Sequence, residues 1–408
     1  MHHIFTHKKI LICITGSIAV YKMLDCISHL YKCGAHIKVI MSQEACKFVN
    51  PLSFEALSRN IVLSESTQSW ASEAGEVANH ISYAKWADVV LIAPASANSI
   101  AKLACGIADS VLLSAILASN APKILAPAMN TAMLEAPQTQ NNIATLAQMG
   151  YEIIPPRADL LVCGEQGSGA LAELDEIIFA LAKAFLVHSF WAKRPVLITG
   201  GGSKEGIDQV RYISNHSSGK QASALALAFY ALGAEVCFIS SAFPIKLPLA
   251  IKRIHTQSLE SFDQAIHSEL EKLSKTDKKP ILLMAAALAD YAPHIQTGKL
   301  KKEQVGKTLM LPCYQTKDIL AQIPKHLAYK VGFKAELDET HALKHAQAML
   351  ESKGCEMVCL NVINEQNPFG SECNSIKLIT KSDTQTIEGS KFEVALGIAQ
   401  ALQGLIQA

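Results

Sequence analysis

Three segments in the first half of the chain carry side chains that are suited to catalysis. They hold His80, Asn130 within the segment 127–133, and Cys163 at the start of the glycine-spaced loop 163–169. A histidine can transfer a proton near neutral pH, an amide can hold a carboxylate, and a thiol can donate a proton. A plainer interpretation is also open for each: an ordinary histidine, core methionines beside an Asn turn, and a loop that is only flexible.

Two turns that follow apolar runs are suited to binding phosphate. Residues 15–19 read Thr-Gly-Ser-Ile-Ala, and residues 95–98 read Ala-Ser-Ala-Asn. Small and hydroxyl side chains at the start of a helix leave backbone N–H groups and the positive end of the helix dipole open to an anion. The dinucleotide fingerprint G-x-G-x-x-G is absent from both turns. The alternative for each turn is a simple helix N-cap.

The second half of the chain carries a similar set of segments. Segment 199–203 is Thr-Gly-Gly-Gly-Ser, and segment 208–220 is dense in groups that can donate to phosphate, although its spacing is not that of a P-loop. Asp290 follows another apolar run, Lys299 opens a basic run, and Phe333 closes a run where a nucleotide base could stack. The alternative here is a set of polar loops and a solvated basic surface.

These segments follow short apolar runs that alternate with helical patterns, which predicts parallel sheets covered by helices on both faces. In the first half, strands are predicted at 9–14, 36–41, 88–93, 124–126 and 151–154. Helices are predicted at 17–32, beginning with 42–48, from 96 and at 138–148. In the second half, strands are predicted at 194–198, 235–239, 281–284, 330–333 and 357–360, helices at 218–233 and 391–405, and an antiparallel hairpin at 377–379 and 384–387. We therefore predict an α/β protein of two doubly wound Rossmann-like domains, residues 1–190 and 191–408, with ligands at the carboxyl ends of the strands.

The composition fits this architecture and excludes several classes of protein. The 408 residues are 50% hydrophobic and 18% charged, with 37 basic and 36 acidic side chains, which excludes disorder, collagen and coiled coil. A net charge of +1 gives no global field for nucleic acid or anionic lipid, so phosphate binding must be local. No apolar run approaches the roughly 20 residues that a membrane span needs. Eleven scattered cysteines without a C-x-x-C pair predict a reducing, cytoplasmic location and no zinc ribbon.

Taken together, the segments of the first half resemble a known family. The segments 15–22, 79–81, 96–98, 127–133 and 163–164 have the order and spacing of the homo-oligomeric flavin-containing cysteine decarboxylases, in particular phosphopantothenoylcysteine decarboxylase. The resemblance covers about residues 8–185 and implies a flavodoxin-like flavoprotein domain that binds FMN. The residues implied in FMN binding are Gly16, Ser17, Ile18, Ser42, Ser96 and Asn98.

The same resemblance implies roles for the catalytic side chains. Loss of CO₂ from a cysteine carboxylate leaves a carbanion, and a flavin makes this possible by first oxidising the thiol to a thioaldehyde. His80 would act as a base or position the substrate in the oxidation, Asn130 would hold the carboxylate, and Cys163 would protonate the enethiolate. Two residues depart from the family pattern: Ala170 stands where the flap usually has arginine, and Leu134 where an aromatic residue is common.

The second half resembles the phosphopantothenate–cysteine ligase domain over about residues 193–405, and segment 211–220 matches that family almost letter for letter. Such a ligase activates a carboxylate by attack on a nucleotide α-phosphate, and the amine of cysteine then displaces the nucleotide. The resemblance implies that Lys299 and Mg²⁺, the latter mainly through the CTP phosphates, meet the triphosphate. It implies that Asn215 serves the acyl-nucleotide intermediate and Arg211 the second half-reaction. It also implies a CTP pocket built from Ala286, Ala287, Asp290, Lys299, Lys317, Asp318, Ile319, Leu320, Phe333 and Lys353.

Three positions of the second half depart from the ligase pattern. Lys334 and Leu337 stand where the family has alanine and threonine in Phe-Ala-Ala-Glu-Thr. Met349 occupies the place of a lysine that usually stands four residues before the one at Lys353. Loss of a cation that faces the nucleotide would weaken CTP binding unless Lys334 or Lys344 substitutes for it.

The two resemblances predict a cytoplasmic bifunctional enzyme of coenzyme A synthesis that acts on 4′-phosphopantothenate, cysteine and CTP, with no nucleic-acid or membrane partner. The decarboxylase relatives form trimers or trimer-based shells and the ligase relatives dimerise, so a homo-oligomer, up to a dodecamer, is expected. An NAD(P)-linked oxidoreductase is a rival interpretation, but neither half has its fingerprint. A non-enzymatic flavin-fold regulatory subunit is a second rival, although His80 and Cys163 are both present.

Overall fold

The computed structural model of the chain describes residues 2–71, 78–160, 164, 166–301, 307–365, 367–368 and 370–407. The chain divides into two compact units, Met1–Leu186 and Val187–Ala408. The predicted α/β class with parallel sheets is confirmed in both units.

The first unit is built on a six-stranded parallel sheet. Its strands are β1 (Lys9–Ile14), β2 (His36–Met41), β3 (Val62–Leu63), β4 (Val89–Ala95), β5 (Lys123–Pro127) and β6 (Glu152–Ile153). Their order is β3-β2-β1-β4-β5-β6. This is the Rossmann order, and without the short edge strand β3 it is the flavodoxin order. In both orders a crevice forms beside β1, where the direction of winding reverses.

Helices cover both faces of this sheet. They are α1 (Lys22–Lys32), α2 (Pro51–Ser58), α3 (His80–Trp86), α4 (Ala97–Ala104), α5 (Val111–Ala118), α6 (Thr131–Glu135), α7 (Pro137–Gln148) and α8 (Leu174–Leu186). Ile10 and Ile12 of β1 pack into one hydrophobic core, whereas Leu11 and Cys13 pack into the other. Successive residues of a strand point to opposite faces, so a strand buried on both faces must be apolar throughout.

Two helices of the first unit differ from the predictions. The predicted helix 17–32 is divided into a 3-10 turn, Ile18–Tyr21, and α1. The predicted helix 42–48 is wrong, because only a 3-10 turn, Ala45–Lys47, forms there. The next helix instead begins at Pro51, where the side chain of Asn50 accepts a hydrogen bond from the Leu52 N–H at 3.0 Å. A residue before proline avoids the helical region, so this segment starts a helix and cannot continue one.

A short antiparallel hairpin completes the first unit. It pairs β7 (Arg157–Leu160) with β8 (Gln166–Ala170). The connecting residues 161–163 and 165, which include Cys163, lie outside the described residues.

The second unit is built on an eight-stranded sheet with the order β13-β12-β9-β14-β17-β18-β19-β20. Its strands are β9 (Pro195–Gly200), β12 (Glu235–Ser240), β13 (Lys252–His255), β14 (Ile281–Met284), β17 (Tyr329–Glu336), β18 (Met357–Val362), β19 (Cys373–Ile379) and β20 (Thr384–Ser390). Two small antiparallel pairs stand apart from it: β10 (Lys204–Gly206) with β11 (Tyr212–Ser214), and β15 (Tyr291–Pro293) with β16 (Cys313–Gln315). The last two strands of the large sheet are antiparallel, which confirms the predicted hairpin.

The described helices of the second unit are α9 (Lys220–Ala231), α10 (Leu259–Leu273), α11 (Ile319–Gln322), α12 (Glu339–Ser352) and α13 (Lys391–Gln407). No helix among the described residues of the chain is long and apolar enough to cross a membrane. The ten cysteines within the described residues are free thiols.

Candidate active sites

A cavity of about 800 Å³ opens at the carboxyl ends of the central strands of the first unit. It is lined by the six residues that the sequence predicts for the cofactor and by one predicted catalytic residue: Gly16, Ser17, Ile18, Ser42, Ser96, Asn98 and Asn130. Ligand pockets of proteins commonly measure about 300–1,000 Å³. The fold therefore brings these seven separated residues to one ligand-sized cavity.

Thr15 joins the two predicted phosphate-binding turns. Its buried hydroxyl donates to the carbonyl oxygen of Pro94 at 2.8 Å and accepts from the N–H of Ser96 at 2.8 Å. The turn after β1 and the turn after β4 are thus held side by side. Thr15 was not among the predicted site residues, although a threonine that ends an apolar strand is a signal for such a link.

The hydroxyls of Ser17 and Ser96 act as helix caps at the cavity. Ser17 accepts from the Ala19 N–H at 3.4 Å, and Ser96 accepts from the Ser99 N–H at 3.4 Å. These two serines both cap a helix and line the cavity, so a helix N-cap and a phosphate-binding turn are compatible interpretations. At Gly16 a Cβ atom would lie 2.6 Å from the Cβ of Glu44, which requires glycine at this close approach.

Asn130 and the hairpin β7–β8 close the far side of the cavity. The Asn130 Oδ1 accepts from the Ala132 N–H at 2.9 Å, which fixes the orientation of the amide. The Gly169 carbonyl accepts from the Met129 N–H at 2.9 Å. A Cβ atom at Gly169 would lie 1.9 Å from the Met129 carbonyl oxygen, so only glycine allows the hairpin to dock here.

His80 does not line this cavity. It is the first residue of α3, its Nδ1 lies 3.1 Å from the Gln68 Oε1, and its ring meets the edge of Trp70 at 5.6 Å between centroids. His80 therefore lies apart from the predicted residues that line the cavity.

Further residues of the cavity were missed by the sequence analysis. They include Tyr21, Phe48, Glu65, Lys102 and Asp109. Lys102 Nζ pairs with Asp109 Oδ2 at 2.6 Å, and Glu65 Oε1 accepts from the Val111 N–H at 2.8 Å. These residues come from loops and helix surfaces, where sequence patterns give little signal.

In the second unit, a smaller cavity of about 190 Å³ opens at the ends of β14 and β17 beside the start of α9. Three of the predicted nucleotide-binding residues line it, namely Ala286, Ala287 and Phe333. Ser217, Ser218 and Gly219 of the predicted donor-rich segment line it as well.

Asn215 lies over the junction of the glycine-rich turn and residues 286–287. Its Nδ2 donates to the Leu288 carbonyl oxygen at 3.0 Å. The Ala287 N–H donates to the Gly201 carbonyl oxygen at 2.8 Å, and a Cβ atom at Gly202 would lie 2.7 Å from the Asn215 carbonyl oxygen. Close backbone contact, which glycine allows, joins three predicted segments at this point.

Asp208 ties Arg211 to the segment that carries Lys299. Arg211 Nη2 donates to the Leu300 carbonyl oxygen at 2.8 Å, and the Leu300 N–H donates to Asp208 Oδ2 at 3.1 Å. The guanidinium of Arg211 also donates to Asp208, and this bond holds the pKa of the Asp208 carboxyl well below its usual value. Asp208 was quoted in the sequence motif but was not predicted as a site residue.

Five other predicted nucleotide-binding residues lie in or beside α11, outside the small cavity: Lys317, Asp318, Ile319, Leu320 and Lys353. Asp318 Oδ1 caps α11 by accepting from the Ala321 N–H at 3.0 Å, and Lys353 Nζ lies 3.0 Å from Asp318 Oδ2. Lys317 pairs with Asp263. The side chains of Ile319 and Leu320 are buried in the core and cannot face a ligand, so only their backbone could do so.

Two further contacts organise this region. The Thr316 N–H donates to the Asp290 carbonyl oxygen at 2.9 Å, which joins Asp290 to the segment before α11. The buried ammonium of Lys330 donates to the carbonyl oxygens of Leu320 at 3.1 Å and Ile323 at 2.8 Å. Burial lowers the pKa of this ammonium, and the two carbonyls are what make its position tolerable. Lys330 was missed because a lysine within an apolar run gives no sign of its partners.

No cluster of three or more His, Cys, Asp or Glu side chains that could hold a metal ion occurs among the described residues.

Comparison with known proteins defines the class of this protein. Residues 3–186 match the family described as Flavoprotein, and residues 191–405 match the DNA/pantothenate metabolism flavoprotein C-terminal domain. The coenzyme A biosynthesis bifunctional protein CoaBC of Haemophilus influenzae is 36% identical over 401 residues, which cover 97% of this chain and 97% of that protein. The protein of the same name from Bacillus subtilis is 36% identical over 409 residues, covering 98% and 97%.

A solved structure of a mutant PPC decarboxylase, complexed with pantothenoylaminoethenethiol, is 31% identical to this chain. It aligns with a TM-score of 0.39 over 43% of this chain and 96% of that one. By its two family matches and its full-length relatives, the chain is a two-domain flavoprotein enzyme with a decarboxylase domain and a ligase domain. It belongs to the family of bifunctional CoaBC proteins of coenzyme A biosynthesis.

Proposed function

We propose that residues 1–190 form an FMN-dependent phosphopantothenoylcysteine decarboxylase and residues 191–408 a CTP-dependent phosphopantothenate–cysteine ligase. The observation that carries the proposal is the single cavity of about 800 Å³ that collects Asn130 and the six predicted cofactor residues. In sequence these residues are spread over positions 16–130, and the fold brings all of them to this cavity.

The residues of the cavity fit a flavin nucleotide. The turns after β1 and β4 are held together by Thr15 and present helix starts, which suit a phosphate. Ile18, Tyr21, Phe48 and Met133 give the cavity apolar walls for a flat ring system. The glycine at position 16 keeps the floor open, because a Cβ atom there would meet Glu44.

The proposed decarboxylation assigns each chain residue one task. Bound FMN would supply the oxidation that makes loss of CO₂ possible and the hydride that is returned afterwards. Asn130, oriented through its Oδ1, would donate to the substrate carboxylate. Cys163 would donate the proton that completes the saturated thiol, and His80 would hold or accept a proton in the oxidation.

The proposed ligation relies on local positive charge. The carboxylate of 4′-phosphopantothenate would attack the α-phosphate of CTP, forming an acyl-cytidylate and releasing pyrophosphate, and the cysteine amine would then displace CMP. Lys299, Lys353 and Arg211 would offset the negative charge, with Mg²⁺ held mainly by the CTP phosphates. Asn215 would orient the intermediate over residues 286–287.

We also propose that the protein is a cytoplasmic homo-oligomer that is built from trimers and reaches the size of a dodecamer. Ile18, Tyr21, Phe48 and Met133 line the first cavity, yet about half of each side chain is exposed. A second subunit over this opening would bury these apolar groups and would add residues to the site. The free thiols support a reducing compartment.

The FMN proposal is tested by placing a negative charge in the phosphate turn. Ser17→Asp keeps a good N-cap residue, but its negative charge repels a phosphate. The affinity for FMN should therefore fall at least about tenfold, which corresponds to about 1.4 kcal/mol, and the purified variant should lose its yellow colour. Ser69→Asp, at an exposed position, is the matched control. Equal FMN content in both variants and the unaltered protein would show that the cavity is not the flavin site.

A coupled assay tests the whole reaction. 4′-Phosphopantothenate, cysteine, CTP and Mg²⁺ should yield pyrophosphate, CO₂ and 4′-phosphopantetheine. Release of pyrophosphate without CO₂ would contradict the decarboxylase half. No release of pyrophosphate from 4′-phosphopantothenate, cysteine and CTP, in a protein that still decarboxylates supplied 4′-phosphopantothenoylcysteine, would contradict the ligase half.

A further inference from the structure

The small cavity of the second unit has a one-sided charge. Two lysines, Lys334 and Lys391, line it, and no Asp or Glu stands among its lining residues in the part of the chain that the structure describes. Its volume of about 190 Å³ is below the range of about 300–1,000 Å³ that is usual for whole small-molecule ligands. A cavity of this size and charge suits a single anionic group.

Lys334 lines this cavity and forms an ion pair with a carboxylate outside it. It follows Phe333 in β17, and its Nζ lies 3.3 Å from the Glu336 Oε1, an acid that does not line the cavity. The Lys334 side chain is 38% exposed and that of Glu336 is 18% exposed. Glu336 also bonds His345 Nδ1 at 3.0 Å, so it keeps a partner when Lys334 turns to a ligand. Lys334 can therefore reach an anion without leaving a buried carboxylate unpaired.

Lys391 provides a second cation that lines the same cavity. It is the first residue of α13, and its Nζ lies 3.4 Å from the Cys373 carbonyl oxygen. Burial lowers the pKa of its ammonium, since the charged form loses hydration there, and the nearby Glu372 carboxylate, which pairs with Lys220, offsets only part of this effect. A bound anion would offset that loss.

Two other positions that the sequence analysis connected with nucleotide charge, 344 and 349, do not supply a cation to this cavity. Lys344 is exposed on α12 and does not line the cavity. Met349 packs in the hydrophobic core, and its Cε lies 2.6 Å from where a Cβ atom on Gly332 would be. Of these side chains and Lys334, only Lys334 reaches the cavity.

We propose that Lys334, together with Lys391, holds a phosphate group of a substrate in this cavity. The inference rests on the proposed ligase function. The phosphate has two sources with the same chemistry, the triphosphate of the nucleotide and the phosphate monoester of 4′-phosphopantothenate. Lys334 is thus a residue that sets the affinity for one of these two substrates in this particular chain.

The test compares Lys334→Met and Lys334→Arg with the control Lys344→Met. Initial ligation rates are measured against CTP, 4′-phosphopantothenate and cysteine in turn. Loss of a charge-assisted bond should raise one phosphate-bearing substrate's KM about tenfold and leave the KM of cysteine within about twofold. The substrate whose KM rises is the source of the phosphate. Lys334→Arg should restore most of the affinity, because it keeps the charge.

The inference is overturned if Lys334→Met changes neither KM by more than about twofold, if Lys344→Met has the same effect, or if the arginine variant behaves like the methionine variant. Binding of inorganic pyrophosphate by calorimetry separates this result from the proposed function. A protein without CTP-dependent ligation whose pyrophosphate affinity still depends on Lys334 would refute the ligase proposal alone. Active ligation with no dependence of any KM or of pyrophosphate affinity on Lys334 would refute the inference alone.

Discussion

At the scale of single residues, Asp208 shows how one carboxylate can hold separate segments of the chain together. It accepts from the backbone N–H groups of Val210 and Arg211, each at 2.8 Å, and from that of Leu300 at 3.1 Å. It also holds the Arg211 guanidinium. These bonds favour the ionised carboxyl, which is why its pKa lies well below the ordinary value of 3.8.

This depressed pKa gives a prediction for acid stability. A carboxyl group whose pKa is lower in the folded protein than in the unfolded chain stabilises the folded protein. This contribution is complete at a pH above the pKa of the unfolded chain, and it is lost as the pH falls towards the pKa of the folded protein. The unaltered protein should therefore exceed Asp208→Asn in thermal stability by a constant margin above about pH 5, and the margin should shrink below about pH 4. Thermal unfolding from about pH 7 to about pH 3.5 measures this margin, with Asp277→Asn, an exposed position, as the control. A margin independent of pH would contradict the assignment.

At the scale of elements, the hairpin β7–β8 is positioned by backbone contact. Gly169 approaches Met129 so closely that a Cβ atom would lie 1.9 Å from the Met129 carbonyl oxygen. Met129, Asn130 and Gly169 all line the flavin cavity, so the hairpin and the Asn130 turn form one wall of it. In sequence, Cys163 falls between the two strands of this hairpin, outside the described residues.

We expect Gly169→Ala to displace the hairpin and to slow decarboxylation. Overpacking against the backbone should cost about 1–3 kcal/mol, so FMN should be released at a lower temperature. Ser168→Ala in the same strand is the matched control and should have a much smaller effect, and neither change should alter ligation. Unchanged FMN retention and decarboxylation in Gly169→Ala would mean that the hairpin docks differently.

At the scale of the whole molecule, each compact unit carries its own cavity, and the residues of each cavity belong to one unit. The two proposed reactions should therefore fail separately. Asn215→Ala should abolish ligation but leave decarboxylation of supplied 4′-phosphopantothenoylcysteine intact. Cys163→Ser should still release pyrophosphate but should stop at the unsaturated product. Assays of pyrophosphate, CO₂ and 4′-phosphopantetheine on each variant measure this. A joint loss of both activities in either variant would contradict separate sites.

The sequence predicted the buried strands best. The bounds predicted for β1, β2 and β14 are those of the structure, because strands buried on both faces are largely apolar runs. Helices α10 and α12 were not predicted, since polar residues are mixed with their apolar faces. The short pairs such as β10–β11 were missed as well, because three residues hold no periodic pattern.

The sequence by itself determined the class of the fold, the turns that follow the strands and the residue types that suit phosphate and proton transfer, because these depend on local pattern and on chemistry. Only the tertiary structure decided which of these residues meet. It placed Gly169 against Met129, joined Arg211 to the segment of Lys299 through Asp208, and turned Ile319 into the core. Such contacts depend on how distant segments pack, and the packing of each depends on all the others, which no local pattern records.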